Sequence, residues 1–250
     1  MIDDFGRGPK RKYRLPRFLR RRYTGDRRQL AYDVDDVTSD YVPAPEDFLP
    51  APPKPRSPLN RTPKITTMRP ALVFFALFWV ISIHDWRVPN SAGLWASGTT
   101  VLEKHQYWRL ITALFVHSDI GHLLSNAPLF LIFGWFLYAF FGWQAFPAAA
   151  LIIGATSNLI TVYAYPPNAE LLGASGMLYG MVALWLVLYL RFETTYPWGA
   201  RLLRAVGVSL LLLFPTTFRP ETSYLAHLAG FILGIMAGSI LALFIRPRTT

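Results

Sequence analysis

Residues 223–245 read SYLAHLAGFILGIMAGSILALFI, twenty-three positions without one Asp, Glu, Lys or Arg. A bilayer core takes roughly 20 apolar residues per helix, so this run predicts a transmembrane helix. It is not uniform. His227 is a polar group where lipid would be expected, and Ala226, Gly230, Gly234 and Gly238 recur every four residues. Such a small-residue stripe lets a second helix approach closely. Five further apolar runs lie upstream, at about 69–86, 119–141, 146–165, 175–191 and 202–218. The chain is therefore expected to be an all-α polytopic membrane protein of six spans, with its membrane domain at 68–247.

Composition agrees. Of 250 residues 52% are apolar and 15% aromatic, which suits a membrane bundle better than a soluble domain. There is no cysteine, which excludes disulfides, thiolate metal sites and a cysteine nucleophile. The net charge of +10 is unevenly spread. Residues 1–28 hold eleven Lys and Arg, 33–47 hold six acids and no base, and eight prolines follow between Pro43 and Pro63. Residues 1–67 are therefore expected to form a largely disordered basic, acidic and Pro-rich tail, its last part a semi-rigid linker. With a membrane domain behind it, the basic region 7–28 is expected to meet anionic lipid headgroups rather than nucleic acid. No apolar run precedes Ala71, so no signal peptide is expected, and Asp3 and Asp4 disfavour a mitochondrial presequence. Arg191, Arg201, Arg204, Arg246 and Arg248 fall on the same side as this tail, which predicts both termini in the cytoplasm.

In that topology the second, fourth and sixth spans all begin on the outer side. Each carries polar groups near its outer end. His122 and Asn126 lie on one face of the second, with Ser118 or Asp119 as N-cap. Ser175 opens the fourth, and His227 lies about 6 Å into the sixth. Polar groups at one depth on three distant spans suggest a common site. Ser175 sits in Gly173-Ala174-Ser175-Gly176, where glycines permit close approach of backbone or substrate. A serine needs a base to become a nucleophile, and His227 is the candidate. No acid lies in 171–191 or 223–245 to complete a triad. Tyr179, one turn below Ser175, is placed to stack on the imidazole, though it equally fits ordinary core packing. His122 and Asn126 are potential donors to an oxyanion, and His117 reads as a structural partner. The HExxH arrangement of zinc helices is absent, so neither a metal nor another cofactor is expected. A small transporter is disfavoured, because no internal repeat and no charged path crosses the midplane.

Together, His117-x4-His122-x3-Asn126, Gly173-x-Ser175-Gly176 with Tyr179, and Ala226-His227-x2-Gly230-x3-Gly234 resemble the rhomboid family of intramembrane serine proteases. Trp108-Arg109 is similar to the Trp-Arg pair of that family's first outer loop. The resemblance implies a six-helix rhomboid-like bundle and an endopeptidase that cuts transmembrane segments of membrane proteins near the outer leaflet. It makes Ser175 the nucleophile, His227 the general base, and His122, Asn126 and the Ser175 backbone N–H the oxyanion donors. A bacterial cytoplasmic membrane is the expected home. Many members carry an acid two positions before the Trp-Arg pair, where this chain has Gln106. Pro215, near the outer end of the fifth span, suggests a loosened end through which substrate enters. The alternative is a catalytically inactive rhomboid-like protein that binds and routes membrane proteins.

Overall fold

The structure is a computed structural model that describes residues 57–88, 93–213 and 222–248. All of them belong to one compact unit, Lys54–Thr250. The basic and acidic tail segments, and Pro215 with the end of the fifth span, lie outside the described residues.

Six principal helices are α1 (Arg69–Arg87), α2 (Ile120–Phe141), α3 (Ala150–Ala164), α4 (Ser175–Phe192), α5 (Trp198–Leu213) and α6 (Tyr224–Phe244). Five are long and apolar enough to cross a membrane among the described residues, α1 counted from Ile65 and α3 from Gln144. The remaining one, α5, is described over 16 residues. It begins at Trp198 rather than at 202, because Pro197 supplies a ready helix start and accepts the first turn's bond from the Arg201 N–H.

The bundle is built around α4, most of whose side chains are buried. Its Gly176 and Gly180 meet the Gly230 and Gly234 stripe of α6. A Cβ on Gly230 would collide with the Gly176 carbonyl oxygen, and one on Gly234 would collide with that of Gly180. These two backbones touch because no side chain intervenes, so the contact rests on dispersion between close-packed surfaces. On the other flank, Phe136 and Phe140 of α2 pack against Trp185 of α4, with centroids 5.3 and 5.6 Å apart. Helix α1 joins through Phe78, 4.6 Å from Phe130.

By contrast α5 is loosely held. Ala205 is its one buried residue, and Leu203 and Leu211 are 73% and 81% exposed. Such a face suits lipid. Arg201 fastens its start by donating to the Leu190 and Glu193 carbonyls, at 2.8 and 2.5 Å.

Residues 57–67, the end of the expected tail, dock on the bundle. Ser57 is buried and donates to the Phe192 carbonyl at 3.3 Å. Arg61 donates to the Ala139 carbonyl at 2.7 Å and lies over the Phe140 ring. The folded unit thus extends upstream of the first span. Apolarity alone does not mark this segment, because its attachment is by polar bonds to helix ends.

Gly230→Ala should overpack the α4–α6 seam at a cost of ~1–3 kcal/mol. Gly207 of α5 has open space around it. Thermal unfolding in detergent should therefore show a lower Tm for Gly230→Ala and no loss for Gly207→Ala.

Candidate active site

Ser175 is the first residue of α4, so its backbone N–H has no partner within the helix. The preceding loop is fixed from two sides. Leu171 exchanges both backbone hydrogen bonds with Ala96, at 2.7 and 3.0 Å, and the Gly173 N–H donates to the Ala113 carbonyl at 2.9 Å. Gly173 has φ +103°, a conformation open chiefly to glycine. Its missing Cβ also matters: one built there would lie 2.8 Å from His122 Nε2. The Nε2 edge of His122 therefore faces the loop that delivers the serine.

His122 and Asn126 stand one turn apart on α2. Asp119 caps that helix, its Oδ1 accepting the His122 N–H at 2.9 Å. Asn126 is buried and its Nδ2 has no hydrogen-bond partner. A buried donor left without an acceptor costs stability, so it calls for a functional explanation.

His227 lies in the first turn of α6, whose N-cap Ser223 accepts the Ala226 N–H at 3.3 Å. The Tyr179 ring stacks on its imidazole, with centroids 4.1 Å apart and planes 11° apart. The tyrosine hydroxyl donates in turn to the Leu213 carbonyl of α5 at 2.9 Å. Among the described residues no hydrogen bond joins Ser175 Oγ to the His227 ring. Their neighbours Gly176 and Ala226 are in contact, a Cβ on the former falling 3.1 Å from the Ala226 carbonyl oxygen. A groove of about 310 Å³ reaches Tyr179 and His227 between Leu210 and Leu213 of α5 and Tyr224 and Phe231 of α6.

His117 sits behind this layer, fully buried, its ring edge-on to that of His122 at 5.1 Å. Its backbone N–H donates to Ser82 Oγ at 3.2 Å, and its carbonyl accepts from Trp86 Nε1 at 2.6 Å. Burial, and then the charge of His122, push its pKa down to about 4.

Arg109 is buried and donates through Nε to Gln106 Oε1 at 2.6 Å and through a terminal nitrogen to the Trp95 carbonyl at 3.1 Å. Gln106 thus supplies the acceptor that an acid would give, and the loop stays anchored. Trp108 is exposed, its ring 4.7 Å from the Arg109 guanidinium.

Three supporting residues were not anticipated. Ser157 of α3 is fully buried and donates to the Ala226 carbonyl at 2.7 Å, next to His227. Asn158 donates to the Leu110 carbonyl at 3.0 Å, and Thr161 to the Ser157 carbonyl at 2.8 Å. The signal was present: Ser157, Asn158 and Thr161 form a polar cluster within an apolar span. Among the described residues no group of His, Asp or Glu is placed to hold a metal.

The sequence model described as Rhomboid domain matches residues 104–244. This chain belongs to the rhomboid family. Among the relatives of this rhomboid-family chain, RHOMBOID-like protein 5 of Arabidopsis thaliana is 26% identical over 162 residues, 64% of this chain and 52% of that one. Rhomboid-like protease 2 of Toxoplasma gondii is 24% identical over 53% of this chain and 47% of its own length. A Mycobacterium tuberculosis protein, Rv1337, is 27% identical over 201 residues, 76% of this chain and 82% of that one. The chain spans about half the length of the first plant relatives it matches.

The depressed pKa of His117 carries a sign. The unfolded chain takes up this proton near the ordinary ~6.5 and the folded chain only near 4. The stability due to neutral His117 is complete above ~6.5 and is lost as pH falls from there toward 4. Tm measured across this window should fall less steeply for His117→Gln than for the wild type.

Proposed function

We propose that this rhomboid-family protein is an intramembrane serine endopeptidase that cleaves the transmembrane segments of other membrane proteins through a Ser175–His227 dyad. The observation that carries the reading is the Tyr179–His227 stack, one turn from Ser175. It holds the imidazole against the helix that Ser175 opens, while neither ring nitrogen has a hydrogen-bond partner among the described residues. A base that must take and return a proton needs a fixed ring and free nitrogens.

In the proposed reaction Ser175 Oγ attacks the scissile carbonyl carbon and its proton passes to His227. The carbonyl π electrons move to oxygen, and the new charge accepts hydrogen bonds from the Ser175 N–H, Asn126 Nδ2 and His122 Nε2. Collapse breaks the C–N bond as His227 gives the proton to the leaving amine. Water then repeats the sequence on the acyl-enzyme. Each oxyanion donor is worth roughly 10²–10³ in kcat. The unpartnered Asn126 amide supports this role, since a preorganised donor needs no reorganisation during the reaction. The apolar groove at His227 suits a substrate arriving from lipid.

We assign the Ser175 end of the bundle to the outer side of a bacterial cytoplasmic membrane. The end bearing Arg61, Arg191, Arg201, Arg246 and Arg248, with both termini and the basic 7–28 region, faces the cytoplasm and its anionic headgroups. The partners are then single- or multi-span membrane proteins. No observation favours the non-catalytic routing alternative, since serine and histidine are both present.

Purified protein should react with a fluorophosphonate probe and cleave a single-span substrate near its outer end. Ser175→Ala and His227→Ala should each lower turnover by about 10³-fold or more. Equal labelling of wild type and Ser175→Ala would reject the peptidase reading and leave the routing one. The absence of native cysteine permits a clean topology test. Lys104→Cys should be labelled by an impermeant maleimide from outside the cell, and Arg246→Cys only after lysis.

A further inference from the structure

The residues just before α2 do more than start the helix. Ser118 Oγ lies 2.8 Å from Asp119 Oδ2 and 3.1 Å from His122 Nδ1. Asp119 Oδ1 is occupied by the His122 backbone N–H. That N–H, and then the Ser118 hydroxyl, hold the Asp119 carboxyl below the usual carboxylate range. Asp119 is therefore ionised at neutral pH and can only accept. A serine hydroxyl has one hydrogen, and the carboxylate is the stronger acceptor for it. The Ser118 oxygen is then left to accept, and the group it faces is His122 Nδ1–H. The other nitrogen, Nε2, is the one beside Gly173.

Resting on the peptidase reading, we propose that Ser118 and Asp119 are positioning residues for His122. They bind the Nδ1 edge of its ring, turn Nε2 toward the serine, and provide the counter-charge for the imidazolium that donates to the oxyanion. The last part follows from proton counting. A neutral ring with its hydrogen on Nδ1 offers Nε2 as a bare acceptor, which would repel an oxyanion. Only a second proton, taken up as H⁺ from solvent with the Asp119 carboxylate balancing its charge, makes Nε2 a donor. The titratable groups around the ring are Asp119 at its own helix end, His117 against its face and His227 across the site on α6. Of these Asp119 alone is anionic, and Ser118 is the link to it.

The test reads the ring directly. Full-length protein with ¹⁵N-labelled histidine is recorded in nanodiscs at mildly alkaline pH, above the ordinary histidine range, with His122→Gln identifying the signal. Wild type should show His122 protonated on Nδ1 and bare on Nε2. Ser118→Ala should shift it toward the Nε2–H form. Asp119→Asn keeps a capping oxygen, but its amide donates to Ser118, whose hydrogen turns to Nδ1; this variant should also show Nε2–H. In turnover, Ser118→Ala should lose about tenfold in kcat with KM unchanged, and Ser118→Thr should restore it. An Nε2–H ring in the wild type, or a signal indifferent to both variants, would overturn the proposal. Because the tautomer is read without substrate, its failure is separate from a failure of fluorophosphonate labelling.

Discussion

The site depends on a contact between two stretches of backbone. Gly176 and Gly180 on α4 meet Gly230 and Gly234 on α6 with no side chain between them. Hydrophobic burial does not drive helices together in lipid, where the solvent is as apolar as the side chains. What remains is close packing, and packing at backbone distance is available only to the smallest residue. Ser175 sits one position before the first of these glycines and His227 three before its partner. The seam that holds the bundle together is therefore also what brings the start of α4 against the first turn of α6.

The rest of the fold steadies the two ends of that seam. Ser157 ties the Ala226 carbonyl from α3, and Ser223 caps the same turn. The Ala96–Leu171 pairing and the Arg109 anchor hold the loops that deliver Gly173 and the serine. Tyr179 does two things at once. Its ring fixes the imidazole, and its hydroxyl reaches the end of α5, the least buried helix. A movement of α5 would thus be felt at the His227 ring, a coupling through a named bond rather than through general flexibility.

Most of this was legible in the sequence, for physical reasons. Long uncharged runs have one stable form in lipid, so the helices followed from hydropathy. The stripe at 226, 230, 234 and 238 announced the seam, and polar residues inside apolar runs pointed to the candidate site. Three things were hidden. The start of α5 was set by Pro197 rather than by apolarity. The docking of residues 57–67 depends on bonds to helix-end carbonyls, which carry no sequence pattern. The role of the Ser157 cluster depends on its acceptors, the Ala226 and Leu110 carbonyls, which only the folded chain puts in place. Gln106 behaved as its chemistry allows, an amide oxygen accepting from Arg109 where a carboxylate would have done so.

The central claim is that α4 and α6 bring one serine and one imidazole to a shared, donor-lined chamber. A structure of the protein after reaction with a fluorophosphonate tests it most directly. The account predicts a covalent bond from Ser175 Oγ to phosphorus, with His227 still stacked on Tyr179. The phosphoryl oxygen should lie within about 2.7–3.2 Å of the Ser175 N–H, Asn126 Nδ2 and His122 Nε2. Phosphorus on another residue, or its oxygen turned away from all three donors, would contradict it.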